Sequence, residues 1–249
     1  MGCFNNLSHS FSAAQLVSNL RIAYNRLICI LVAMLDQVYL FFEALSFLIA
    51  VIQYPKLKST PYKFFVPYLF CVVIYEIATS LGWVGINGSN LFATNIAMFV
   101  SFLFYSFFIL ALIRTPKLKK WIYRIIWLSV TCSAINMAFY QGFWQLDTIT
   151  ILIDFAILIV LACLYFYELM NYAQLQISII SLPGFWVNTG LLFFCLAEFL
   201  LFASFAFLAD KKLLVFLELF AVIVNVAIGI LYSCLTVSFL CFRKTSSQS

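Results

Sequence analysis

Carboxylates are the side chains best suited to chemistry in this chain of 249 residues, which holds nine of them. Asp36, Glu43, Glu76, Asp154, Glu198 and Glu218 each interrupt a long apolar run, whereas Asp147, Glu168 and Asp210 fall at the ends of such runs. An acid near the centre of a membrane helix costs about 2.5–3.5 kcal/mol on insertion scales, which makes it a functional candidate by default. No Lys or Arg lies deep in the same runs. Uncompensated acids have three solutions. They are protonated and bonded to Tyr39, Tyr75, Asn95, Asn136, Asn188 or Asn225; they line a wet cavity open to the outside; or they bind a cation, either an ion or an amine. The plainer reading is that neutral carboxyl groups act as hydrogen-bond glue between helices.

Depth separates the acids. At 1.5 Å per residue, Glu76 and Glu198 are expected within roughly 3 Å of the centres of their runs. Asp36 and Asp154 are expected roughly 6–8 Å, and Glu218 roughly 12 Å, toward the outer side. These five form a candidate ligand or cation site. Glu43 is expected on the inner side and, with Glu168, forms a candidate inner relay. Asp36 and Glu43 are seven residues apart and so share a helix face.

Several other chemistries are excluded. His9 is the single histidine and precedes every long apolar run. Zinc hydrolases, histidine-dependent intramembrane proteases and paired-histidine haem sites therefore have no ligands or base. The last run has no Lys after Lys212, so a buried retinal Schiff base has no anchor. The eight cysteines show no Cys-x-x-Cys pair and read as small apolar packing residues, without a disulfide framework or a thiolate metal site. No metal or cofactor is expected.

The elements that must carry the acids are membrane helices. The chain is 65% hydrophobic and 9% charged, with a mean hydropathy of +1.09. Too few polar residues remain to cover a soluble core, which excludes a soluble enzyme, a nucleic-acid binder and a disordered protein. Crossing a bilayer takes about 20 apolar residues in a helix. Seven such stretches are predicted, at 28–52, 64–84, 91–113, 121–140, 149–169, 185–208 and 213–241. Continuous runs such as Leu191 to Ala209 lack the alternation of a membrane β-barrel. The fold class is thus an all-α polytopic bundle of seven transmembrane helices, and the chain divides into an outer segment 1–27, one domain 28–241 and a cytoplasmic tail 242–249.

Orientation follows from the basic residues. Lys56, Lys58, Lys63, Arg114, Lys117, Lys119, Lys120, Arg124, Arg243 and Lys244 fall on one side, and only Arg21, Arg26, Lys211 and Lys212 on the other. The richer side is read as cytoplasmic, with the N-terminus outside and the chain in the plasma (inner) membrane. Trp83 and Trp144 then lie at the outer interface, Trp121 and Trp186 at the inner one. Phe11, Leu16, Leu20 and Ile22 suit a short interfacial helix. No cleavable signal pattern precedes the first span. Met1-Gly2-Cys3 resembles the start of an acylation motif, but Asn6 stands where that motif needs Ser or Thr.

The segment Leu182-Pro183-Gly184-Phe185-Trp186-Val187-Asn188-Thr189-Gly190 opens the sixth span. It resembles a Pro-x-Phe-Trp…Gly signature of small seven-span proteins from Bacteroidota-type bacteria. The Lys56–Lys58 link, Glu76, the Asn87 turn and the Tyr165–Glu168 end are similar in kind and order. The resemblance implies a stand-alone integral protein acting as a sensory partner in two-component signalling, for example beside a histidine kinase. It carries over no catalytic residues.

The function expected is a sensor or receptor-like module that uses the outward-biased acids, with the lipid bilayer and a cytoplasmic or membrane signalling protein as partners. A transporter or channel for protons, cations or a small amine is the alternative; a lipid-modifying enzyme and a scaffold rank lower, because nothing in the spacing selects a nucleophile. The orientation is directly testable. A fluorescent protein fused after Ser249 should fluoresce, and alkaline phosphatase at the same junction should be inactive. The reverse pattern refutes a cytoplasmic C-terminus.

Overall fold

The computed structural model describes residues 38–85, 89–139, 142, 144–172 and 178–245, with 172, 205–219 and 243–245 described by backbone alone. Asp36 and the interfacial segment expected at 1–27 lie outside the described residues, as does the side chain of Glu218. Among the described residues seven helices are long and apolar enough to cross a membrane. We label them α1 (Val38–Leu57), α2 (Phe65–Ser80), α3 (Leu91–Leu112), α4 (Pro116–Phe139), α5 (Thr148–Tyr172), α6 (Pro183–Ser204) and α7 (Phe220–Phe242). The architecture is the expected all-helical bundle. Below, the α2–α3 face is the end holding the even-numbered links, and the α1–α2 face is the opposite end.

Helix ends differ from expectation where punctuation was misread. The first helix runs past Pro55 to Leu57 instead of stopping at 52. Pro55 sits in its last turn, Leu57 is fully buried, and Lys58 N–H still reaches the Tyr54 carbonyl at 3.0 Å. A short 3-10 turn, Pro61–Phe64, leads into α2. Pro67 thereby falls in the first turn, where N–H groups lack intrahelical acceptors anyway. That helix stops at Ser80 rather than 84, because Gly82 adopts φ +72°. Gly82 N–H bonds Thr79 O at 3.0 Å and Trp83 N–H bonds Ala78 O at 2.9 Å, the paired bonds of a Schellman cap. Pro116 starts α4 five residues earlier than predicted, a position that suits proline's fixed φ and missing N–H. Lys117, Lys119, Lys120 and Arg124 consequently lie on the first turns of a helix, not in a link.

The sixth and seventh spans belong to one continuous helical stretch, Pro183–Thr245. A straight helix would separate Pro183 from Ser238 by about 80 Å. Instead Ser238 Oγ donates to Pro183 O at 2.9 Å, so the chain reverses between the two spans. α6 and α7 form a tight antiparallel pair at Gly190. A Cβ there would stand 2.7 Å from Cys234 Cβ and 3.2 Å from the Leu231 backbone. The missing side chain is what lets the two backbones close.

The buried stripe of α5 is Ile151, Phe155, Leu158, Ala162 and Tyr165. Its four-three-four-three spacing keeps one face toward α3, α6 and α7. Val160 and Tyr167 on the other side are exposed, as expected of a surface turned to lipid. Toward the α1–α2 face the core is aromatic. Phe65 meets Phe104, Phe108 and Phe239 edge-on, with centroids 4.9, 4.8 and 5.5 Å away, a favoured ring geometry.

The α6–α7 contact generates a paired test. Gly190→Ala should lower the thermal midpoint, since overpacking costs about 1–3 kcal/mol. Gly229→Ala, where nothing lies within 4 Å, should leave the midpoint unchanged or slightly higher. Equal responses in purified protein would refute the close approach at Gly190.

Candidate functional site

The observed spans redistribute the acids by depth. The midpoint of the second span, Pro61–Ser80, lies between Phe70 and Cys71. Glu76 therefore stands about 8 Å from it toward the α2–α3 face, not at the centre. Asp154 lies about 8 Å from its own midpoint toward the same face, and Glu198 lies in the C-terminal half of the described part of α6. α1 runs antiparallel to α2, with Tyr39 hydrogen-bonded to Glu76 at 2.9 Å and Phe47 against Phe70. That register puts Glu43 between the levels of Glu76 and Phe70. It lies on the same side of the Phe47–Phe70 contact as Glu76. Glu43 and Glu76 are close enough to interact electrostatically.

Glu76 and Glu198 meet at one cavity. It measures about 940 Å³ and lies between α1, α2, α3, α6 and α7. Toward the α2–α3 face its lining reaches Trp83, Leu91 and Leu146. Its floor, at mid-bundle, holds Tyr68, Met98, Ser101 and Ile228. Tyr75, Phe92, Phe194, Phe202 and Phe220 contribute aromatic walls, and Cys71 and Asn225 add polarisable or polar groups. The floor is ordered by Tyr68, whose hydroxyl donates to Ser101 Oγ at 3.0 Å and whose ring stacks on Phe104 at 3.8 Å.

The two acids of the cavity differ. Glu76 accepts from the Tyr39 hydroxyl. Glu198 is 2% exposed and its Oε1 has no hydrogen-bond partner. A buried acceptor left without a donor costs about 1–3 kcal/mol, and more when charged. Its neighbours one turn away on α6, Phe194 and Phe202, are apolar and also face the cavity. Glu43 is 1% exposed and its Oε1 is likewise without a partner, but it does not line this cavity.

Asp154 is separate. Its Oδ1 accepts from Ser129 Oγ at 2.7 Å. It borders a neighbouring void of about 70 Å³ that shares Tyr68, Met98, Ser101 and Phe194 with the large cavity. The structure thus joins Glu76 and Glu198, places Glu43 and Asp154 beside them, and leaves Asp36 and the Glu218 side chain outside the described residues.

Glu168 does different work at the opposite face. Its Oε2 accepts Arg114 N–H at 2.7 Å, and its Oε1 accepts Thr115 N–H at 2.7 Å and Thr115 Oγ1 at 2.6 Å. These donors flank Pro116, where α4 begins, so the carboxylate caps the α3–α4 turn and meets the positive end of a helix dipole. Asp147, read from sequence as lying at the end of an apolar run, is 2% exposed. Its Oδ1 caps α5 through Thr150 N–H at 3.2 Å and accepts from Asn136 Nδ2 at 2.6 Å. Asn95 completes the knot, accepting Asp147 N–H at 3.1 Å and donating to Gln145 O at 2.8 Å. Asn95 and Asn136 thus serve Asp147 and its link. Asn188 and Asn225 instead donate to the Gly184 and Ala221 carbonyls of their own helices.

Sequence reasoning did not single out Tyr68, Cys71 or Ser101. Tyr68 and Cys71 share a face of α2 with Tyr75, and Ser101 lies opposite them on α3; a helical projection through Glu76 and Tyr75 would have drawn in the first two. Among the described residues, no group of three or more His, Cys, Asp or Glu side chains could hold a metal ion.

Glu168→Gln should lower stability by about 1–3 kcal/mol, because an amide N–H₂ would confront donors it cannot accept from. Chemical denaturation of the purified variant measures this. An unchanged midpoint would remove the cap from the account of the α3–α4 turn. The chain matches no known family, curated protein or solved structure in the comparisons made.

Proposed function

We propose that this chain is a sensor or receptor-like module of the plasma membrane, with the Glu76–Glu198 cavity as its ligand seat. One observation carries the reading: among the described residues the cavity's lining runs from the α2–α3 end, at Trp83, Leu91 and Leu146, to mid-bundle at Tyr68 and Ser101, and does not reach the α1–α2 end. Below the floor, Phe65, Phe104, Phe108 and Phe239 fill the space to the α1–α2 face. A ligand entering at the α2–α3 face can change helix packing without passing through. α3 is suited to relay that change. It lines the cavity from Leu91 to Ser101 and ends at the turn held by Glu168. The basic residues around that turn and at Lys56–Lys58 would present the change to a cytoplasmic signalling partner, as the orientation expected from sequence places them inside.

Glu43 favours one second reading, a proton or cation pathway. It is buried and has an unpartnered oxygen, and it lies farther from the α2–α3 face than Glu76.

Two measurements separate the readings. Cys71 lines the cavity and carries a free thiol, so methyl methanethiosulfonate can occupy the space covalently. In the sensor reading, modification alters amide hydrogen exchange at Lys56–Thr60 and Arg114–Thr115, and Cys71→Ser abolishes the effect. Unaltered exchange there refutes coupling. Proteoliposomes should show no proton, sodium or potassium flux above empty vesicles. A flux lost in Glu43→Gln would instead establish the pathway.

A further inference from the structure

We propose that the cavity takes a lipophilic monoamine, its ammonium group seated on the Glu198 carboxylate and its apolar body against the aromatic walls. This deepens the receptor reading above and rests on it.

The first argument is charge. Glu198 is almost fully buried and its Oε1 faces no donor, so that oxygen is not acting as glue between helices. A carboxylate in that position is complete only when a cation supplies the missing donor. Among the bases whose side chains are described, Lys56, Lys58, Lys63, Arg114, Lys117, Lys119, Lys120 and Arg124 all lie toward the α1–α2 face, beyond the cavity floor, and none of them supplies that donor.

The second argument concerns which cation. A divalent metal asks for six or more oxygen ligands or a cluster of acids. The described residues hold no such cluster, and the cavity walls are chiefly hydrocarbon and aromatic. An alkyl- or arylalkylammonium needs one good acceptor and otherwise gains from apolar burial and from ring faces. Phe194 and Phe202 flank Glu198 by one helical turn on either side, and Phe220 lies nearby on α7. They would hold the carbon next to the ammonium.

The third argument is size and depth. About 940 Å³ falls in the usual range for sites that enclose a small organic molecule. The cavity reaches Met98 and Ser101 as well as Glu198. An amine headgroup on Glu198 therefore leaves room for an apolar body in the floor.

The test uses the full chain in nanodiscs with phenethylamine as the probe, and phenylethanol and phenylacetate as near-isosteric neutral and anionic controls. Binding is read by calorimetry. Phenethylamine should bind at least tenfold more tightly than either control, and Glu198→Gln should remove that preference. Ala97→Phe, which fills the cavity without touching the acid, should abolish binding of all three. Gly229→Ala, outside the cavity and with nothing within 4 Å of the added carbon, should change nothing and reports that a substitution elsewhere on α7 leaves the binding readout intact. If phenylethanol binds as tightly as phenethylamine, or Glu198→Gln keeps the preference, the amine assignment is overturned while a ligand seat stands. If none of the three binds the wild-type chain, the amine assignment and the ligand seat fall together.

Discussion

Hydrocarbon offers no hydrogen bond, and most of this molecule is arranged around that fact. A polar group inside the bilayer must find its partner within the protein or bring one in. The backbone meets the demand by being helical across every described span. Side chains meet it locally: Asn188, Asn225, Thr189 and Ser233 each donate to a carbonyl four residues back. Helix ends are the harder case, because their N–H groups have no acceptor in the same helix. Here the chain spends two acids. Glu168 closes the start of α4 and Asp147 the start of α5.

Against that background the remaining acids divide by whether the demand is met. Asp154 has Ser129, and Glu76 has Tyr39. Glu43 and Glu198 each keep a buried oxygen without a donor. They sit in the half of the bundle that contains the cavity, whereas the opposite half is packed with interlocking rings. The bundle is therefore asymmetric along its axis. One half is built to stay closed by aromatic packing, and the other holds space and uncompensated acceptors.

Composition and span count made the class and the helix number legible from sequence, because a bilayer imposes a length and a hydrophobicity on every crossing. Local misreadings came from punctuation whose meaning depends on neighbours. Pro55 looks like a terminator, yet the helix continues because Leu57 is buried beneath it. Gly82 looks like part of a span, yet its left-handed conformation ends one. The depth of Glu76 moved with those ends.

The sequence by itself determined that the protein is a seven-span helical bundle and that its interior holds acids without bases. These properties follow from residue type and order, and transfer from water to lipid acts on them directly. Tertiary structure alone decided which acids share a space. Glu76 and Glu198 are 122 residues apart, and only the packing of α2 and α6 around α3 and α7 brings them to one cavity. The same packing makes Glu168 the cap of a turn 53 residues away. Hydrogen bonds and voids are properties of pairs of surfaces, and periodicity along one helix does not specify its neighbour.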